Sequence, residues 1–343
     1  MHLVLDPAHD TAHGGWLRAT PGAYEWWYFD ALSDDGQWAL TCIWFLGNPF
    51  SPYYRQAALG LPADPFERNA LFVALYRHGR LYAYHFTQFP ISEIVVGETV
   101  PLFLRFGPNC LTMPGDGLWR LSLADENANG RRLEASLTFT APPLAGAEVK
   151  VTPRDSEHSW LPIAPFCRVQ GRMTLREAQN PGPEIITFAG TGYHDHNWGR
   201  LPFDADIRDW YWARAALGRG RSVVLYHVQP HRGRPISHLL LFERGRLLRH
   251  ESEASVAAAR PRFTGFGTRY HSQLTVSALD LEVKFRLGPR LDSAPFYVRA
   301  LCAAAVRQGD KIERGQGIGE YLRPRPMSWR LTASAMKARI VER

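Results

Sequence analysis

Along most of this chain apolar and polar residues alternate with a period of two, the spacing of β-strands. From Leu133 to Phe139 the apolar positions are Leu133, Ala135, Leu137 and Phe139, separated by Glu134, Ser136 and Thr138. Trp119, Leu121 and Leu123 keep the same alternation upstream, and Asp125–Gly130, ending in Asn129-Gly130, reads as the turn joining two hairpin arms. A second hairpin is expected over Leu71–Phe86, turning at His78-Gly79. Its first arm is apolar at every position from Leu71 to Tyr76, which predicts burial on both faces. Further strands are expected at Ser222–Val228, Ser237–Phe242, Gln273–Ala278 and Leu279–Leu287. The apolar parity changes near Ala278-Leu279, where a bulge or turn belongs. Helical character is confined to the tail, Ser328–Glu342.

Many short strands and few helices indicate an all-β protein, and two barrel-like halves packed together are expected, since barrels close their edges and a small one holds a single apolar ligand. The segment from Ala141 to Pro165 carries five prolines and is taken as the connection, dividing the chain at residues 1–150 and 151–343. Aromatic content sharpens this picture: 11 Trp, 13 Tyr and 18 Phe point to a β-rich core, an apolar cavity, or both.

The net charge of +7 is spread over scattered arginines with no dense basic run, so nucleic acid is not an expected partner. A diffuse positive excess instead suits peripheral contact with an anionic membrane surface. Cys42, Cys110, Cys167 and Cys302 stand far apart with no C-x-x-C pair, and are expected to be free thiols in a reducing compartment. The N-terminus lacks a signal-peptide pattern and no stretch reaches the length of a membrane-spanning helix. A cytoplasmic location, with contact at the inner membrane face, is the resulting expectation.

Five segments bear on the chemistry. In Glu25-Trp26-Trp27-Tyr28-Phe29-Asp30 an extended chain places Trp26, Tyr28 and Asp30 on one face and Glu25, Trp27 and Phe29 on the other. Buried carboxyls at both ends of an aromatic run must be paired or protonated, so a cavity wall competes with plain core. The richest stretch is Gly190–Gly199. Here His194, His196 and Trp198 share one face and Tyr193, Asp195 and Asn197 the other. The H-x-H pair could chelate, but no third ligand is placed by spacing, so acid/base chemistry without a metal is preferred. His227 lies in the apolar run Val223–Val228 beside Tyr226, and Tyr53 and Tyr54 form a loop suited to a barrel mouth. Gly315–Tyr321 is glycine-rich but lacks the setting of a phosphate loop; it reads as a turn bringing Glu320 inward. No cofactor motif or serine-hydrolase elbow is present.

Taken together, Trp26-Trp27-Tyr28 with Asp30–Gly36, Phe50–Tyr54, Asn69–Tyr76 and Thr191–Gly199 resemble, in the same order, the carotenoid 1,2-hydratase (hydroxyneurosporene synthase) family. The resemblance implies a lipocalin-like, calycin-type double barrel and cofactor-independent hydration of the terminal alkene of an acyclic, polyprenyl carotenoid. It implies a site around His196 and Trp198 with a downstream Tyr and Asp. This chain departs from the family at Leu225-Tyr226-His227-Val228, where the family strand reads Asp at the third position. Lipocalin-like relatives that catalyse cyclisations leave a cyclase or isomerase, or a carrier of apolar ligands, as alternatives.

Hydration of such an alkene needs a neutral carboxylic acid as proton donor, and an apolar pocket supplies one by raising its pKa. Asp195 is the first candidate, followed by Glu25 and Asp30, with His227 a weaker donor. Trp26, Trp198 and Tyr226 are expected to stabilise the cation through their ring faces, and Trp27, Tyr28, Tyr53 and Tyr54 to contact substrate. His194 or His196 is expected to orient the water. The apolar tail of the substrate is expected to lie in a barrel tunnel.

Overall fold

The computed structural model describes residues 2–12, 20–51, 65–97, 101–145, 158–177, 182–252 and 254–343. Its strands are β1 (His2–Leu3), β2 (Tyr24–Ser33), β3 (Trp38–Leu46), β4 (Asn69–Arg77), β5 (Arg80–Phe89), β6 (Ile94–Gly97), β7 (Phe103–Phe106), β8 (Asn109–Gly115), β9 (Leu118–Glu126), β10 (Arg132–Thr140), β11 (Ser159–Arg176) and β12 (Glu184–Gly199). There follow β13 (Ile207–Gly218), β14 (Arg221–Pro230), β15 (Ile236–Glu243), β16 (Arg246–Glu251), β17 (Ser255–Phe263), β18 (Arg269–Ala278), β19 (Leu281–Ala294), β20 (Tyr297–Gln308), β21 (Lys311–Leu322) and β22 (Val341–Glu342).

They form two curled sheets. The first runs β22-β5-β4-β3-β2-β12-β11-β10-β9-β8-β7-β6, with β1 beside β11; the second runs β16-β15-β14-β13-β21-β20-β19-β18-β17. Nearly all pairings are antiparallel, as hairpin connections require; β1 on β11 and β22 on β5 are parallel. The first sheet curls until β5 meets β9 and the turn after it: Thr87 Oγ1 donates to Asp125 Oδ2 (2.7 Å) and Asn127 Nδ2 to the Tyr84 carbonyl (3.1 Å). The Asn127 side chain thus satisfies a backbone carbonyl of β5.

The hairpins at His78-Gly79 and Asn127–Gly130 form as expected. The parity change at Leu279 is a turn, with the Leu279 side chain in solvent. The tail is only partly helical: a helix over Arg330–Lys337 is followed by β22. The four cysteines are free. No helix among the described residues is long and apolar enough to cross a membrane.

The passage from first to second sheet falls between Gly199 and Ile207. The expected division at 150/151 lies instead inside the first sheet, because the proline-rich segment joins β10 to β11, which are neighbours there. Prolines mark a loop, but not which sheet the next strand joins.

Strands at the centre of each sheet are buried on both faces. In β13 and β14, Trp210, Trp212, Val224, Tyr226 and Val228 pack with the first sheet. The alternate residues Tyr211, Ala213, Ala215, Val223 and Leu225 fill the interior of the second. The same alternation in β2 sends Trp27 and Phe29 into the first barrel and Trp26 and Tyr28 to the interface between sheets. The space between the two curled sheets, rather than the inside of either, therefore becomes available for a site.

Candidate active site

Three elements set the site: β2 and β12 in the first sheet, and the β13–β14 and β20–β21 region of the second. β12 pairs with β2 along its C-terminal half, with Asp195 opposite Tyr28 and Asn197 opposite Trp26. Gly192 makes this close fit possible: a Cβ there would lie 2.6 Å from the Asp30 carbonyl oxygen and from Val169. Gly317 has the same role in β21, where a Cβ would meet the Arg214 carbonyl at 1.9 Å. The Gly315–Tyr321 segment is thus a strand seated against β13, not the expected turn, although it does carry Glu320 inward.

An apolar cavity of about 150 Å³ opens between the sheets, walled by Trp26, Tyr28, Phe45, Phe72 and Phe86 on one side and Phe296, Tyr297 and Leu322 on the other. Ala335 and Met336 of the C-terminal helix, Arg339 and Phe266 complete its rim. A deeper recess of about 40 Å³ shares Trp26, Tyr28, Trp210 and Glu320 with it, and is otherwise lined by Trp160, Asp195, Asn197, Trp212 and Tyr226.

Asp195 is the chemical centre of that recess. Trp160 Nε1 and the Tyr193 hydroxyl each donate to its Oδ2 at 2.9 Å, and Asn197 Nδ2 donates to Oδ1 at 2.8 Å. Burial pushes its pKa up to about 8, against the lowering by these donors, and the charge of Glu320 pushes the same way. With both lone pairs of Oδ2 engaged, Oδ1 is the oxygen with room for the proton. The result is a carboxylic acid that is neutral near pH 7, among indole and phenol rings.

Tyr226 is fixed by His158, whose Nε2 lies 2.8 Å from its hydroxyl and whose Nδ1 lies 2.8 Å from that of Tyr24. Burial drives the His158 pKa down to about 3, so the ring is neutral and one tyrosine donates while the other accepts. Glu320 accepts from Arg299 Nε at 2.8 Å, and Arg299 in turn donates to the Tyr76 hydroxyl at 3.1 Å.

The opposite face of β12 is different. His196 Nε2 lies 2.8 Å from Glu25 Oε1 and its Nδ1 3.0 Å from the His9 carbonyl; its ring stacks on Trp27. His194 stacks on Phe29, with Nε2 3.5 Å from Asp10 Oδ2. Burial alone would raise Asp10, but His194, His196 and the Trp119 donor outweigh it, so its carboxyl sits below the usual range. Among the described residues no group of three or more His, Cys, Asp or Glu side chains is arranged to hold a metal ion.

The carotenoid hydratase CrtC family model matches residues 42–340. The chain belongs to the carotenoid hydratase family. That membership places it among the hydro-lyases. A hydroxyneurosporene dehydrogenase of Chlorobaculum tepidum is 29% identical, over 94% of this chain and 88% of the relative. An acyclic carotenoid 1,2-hydratase of Thiocapsa roseopersicina is 31% identical, over 83% of this chain but 65% of the relative. The crystal structure of CghA with Sch210972 shares the fold, with a TM-score of 0.63 at 13% identity, covering 88% of each chain. The all-β, lipocalin-like expectation is borne out.

In this hydratase-family chain the expected site residues divide. Asp195, Tyr226, Trp26 and Tyr28 face one recess. His194, His196, Glu25, Trp27 and Trp198 are turned away, because the alternation of β12 and β2 sends them into the first barrel; the expectation that a histidine of this pair orients water at Asp195 is corrected. Asp30 is buried against Arg214, with the Tyr28 hydroxyl donating to it at 3.0 Å, and is spent on an ion pair instead of binding. His227 points opposite to Tyr226 and bonds Ser237 Oγ (2.8 Å), so the departure from the family at that position lies off the cavity. Tyr53 and Tyr54 lie outside the described residues. The expected barrel tunnel is a cleft between sheets. Trp160, Trp210, Trp212, His158 and Arg299 were not anticipated; the Trp210-Tyr211-Trp212 alternation was the available signal for two of them.

Proposed function

We propose that the protein hydrates the terminal alkene of an acyclic carotenoid or similar polyprenyl chain, without a cofactor, with Asp195 as the proton donor. One observation carries this reading: a buried carboxyl met by three neutral donors and no cation, with one open lone pair, facing an aromatic recess beside an apolar cavity. Protonation of the less substituted alkene carbon leaves a tertiary cation. Trp26, Trp160, Trp210 and Trp212 surround it with ring faces, each worth roughly 0.5–2 kcal/mol when desolvated. Rings stabilise the cation without trapping it.

The cavity is smaller than the ~300–1,000 Å³ pockets that enclose drug-sized ligands. It therefore suits the end of a long substrate, with the remaining chain running outward past Phe266 and the C-terminal helix. Phe266 at the rim is exposed, as are Phe263, Arg260, Arg262 and Arg269 in the same hairpin and Trp329, Arg330 and Leu331 at the start of the C-terminal helix. Exposed rings beside arginines suit the headgroup region of an anionic bilayer, from which an apolar substrate enters directly.

Incubation of the purified protein with lycopene in heavy-oxygen water tests the reaction. Uptake of one labelled oxygen with the Asp195→Asn variant inactive supports it. Rearrangement without label identifies a cyclase or isomerase, and an unchanged, bound polyene identifies a carrier.

A further inference from the structure

We propose that Glu320 is the second catalytic carboxyl: its carboxylate takes the proton from the water that captures the substrate cation, and Arg299 is the residue that positions it. This rests on the hydratase reading and assigns the half of the reaction that Asp195 leaves open.

Glu320 stands in β21 opposite Trp212 of β13 and Arg299 of β20, and it borders both the apolar cavity and the Asp195 recess. A group at that junction faces the substrate end from the second sheet, while Asp195 faces it from the first. The two carboxyls have opposite surroundings. Asp195 has three neutral donors and no cation; Glu320 has the Arg299 guanidinium at 2.8 Å. Arg299 is itself held across the interface by Tyr76 of β4 at 3.1 Å, and its guanidinium lies 5.2 Å from the Tyr297 ring. The carboxylate position is thereby fixed by both sheets. One acid kept neutral and one kept beside a cation is the division of labour that proton donation followed by proton removal requires.

The steps balance. The alkene π electrons take the Asp195 proton, leaving a carboxylate and a tertiary cation. A water lone pair forms the C–O bond, and the resulting oxonium gives its proton to Glu320. Return of that proton to Asp195 by way of solvent restores both groups, for a net addition of one water. The Arg299 bond to one oxygen of Glu320 also blunts direct attack of the carboxylate on the cation.

The experiment follows two labels with lycopene as substrate: deuterium from heavy water into recovered substrate, which reports reversible protonation, and heavy oxygen into product. Glu320→Gln is expected to lose hydration by roughly 100-fold or more while deuterium exchange stays within about threefold of wild type. Asp195→Asn is expected to lose both. Hydration at the wild-type rate in Glu320→Gln, which would mean that Asp195 serves as acid and base in turn, overturns the assignment. So does loss of both labels in a folded Glu320→Gln protein. Should that variant leave Arg299 unpaired and unfold, the double variant Arg299→Gln with Glu320→Gln, neutral at both positions, carries the same expectation. Absence of both labels in the wild-type protein refutes the hydratase reading itself, a separate result.

Discussion

The two faces of β12 make a controlled comparison, because one strand supplies both. Toward the first barrel, His194 and His196 meet Asp10 and Glu25, and each acid has an imidazole within reach. Toward the second sheet, Asp195 meets only neutral donors. Burial is equally complete on both sides, yet the Asp10 pKa goes down and that of Asp195 goes up. Between these two acids the nearby imidazoles make the difference, whereas at Asp30 burial outweighs even the Arg214 guanidinium, so the balance of burial and partner decides what a carboxyl becomes. The inner face makes a pinned structural network, and the outer face a carboxyl that keeps its proton up to about pH 8.

The sharpest way to break the comparison is Asp195→Asn, nearly isosteric and unable to donate a proton. Turnover is expected to fall roughly 100- to 10,000-fold with an unchanged circular dichroism spectrum. Full turnover would remove Asp195 from the chemistry. On the inner face, His196→Ala removes the imidazole bonded to Glu25 and stacked on Trp27, at a cost of about 1–3 kcal/mol in stability. Denaturant titration should register that loss, and the folded fraction should retain most of its turnover; a stable but inactive variant would shift the chemistry to the inner face.

pH separates the faces without mutation. Turnover is expected to fall by about tenfold per pH unit above about pH 8, as Asp195 loses its proton. The sign for stability follows from linkage. The folded chain keeps this proton up to about pH 8, while the unfolded chain releases it near 3.8, so this group's contribution to stability declines between those values and is level above them. Asp195→Asn should remove that slope in thermal melts taken across pH 4–9. A slope that persists unchanged would mean other groups produce it. Among the described residues, Tyr28, Tyr193, Tyr226 and Glu320 are the other titratable side chains around Asp195.

Smaller effects follow at the periphery. Phe263→Asp with Leu331→Asp, both exposed and outside the cavity lining, should reduce sedimentation with anionic vesicles several-fold while turnover of detergent-dispersed substrate is preserved. His227→Asp, which restores the family residue, should change turnover by less than about threefold, since position 227 points away from the cavity. A large gain would place that side chain nearer the chemistry than its bond to Ser237 allows.

Much of this was legible in the sequence. Period-two alternation located the hairpins, and in Thr191–Gly199 it assigned each side chain to a face, so that Asp195 was already separated from His194 and His196. Aromatic abundance foretold a ring-lined cavity. What alternation cannot say is which face looks onto a cavity and which onto packed core. By alternation alone Glu25, Trp27 and Trp198 are as suited to substrate as Trp26 and Tyr28; packing turns them inward.

The sequence by itself located most of the strands, the two-sided burial of β4 and the alternation that sets Asp195 apart from His194 and His196, because these depend on neighbours within one strand. Tertiary structure alone decided that the cleft lies between sheets and that Arg214 neutralises Asp30. It also decided that Arg299 meets Glu320 and Tyr76, a residue more than two hundred positions away. Charges separated so far along the chain find each other only through the order in which strands pair, and that order is set by the packing of both sheets at once.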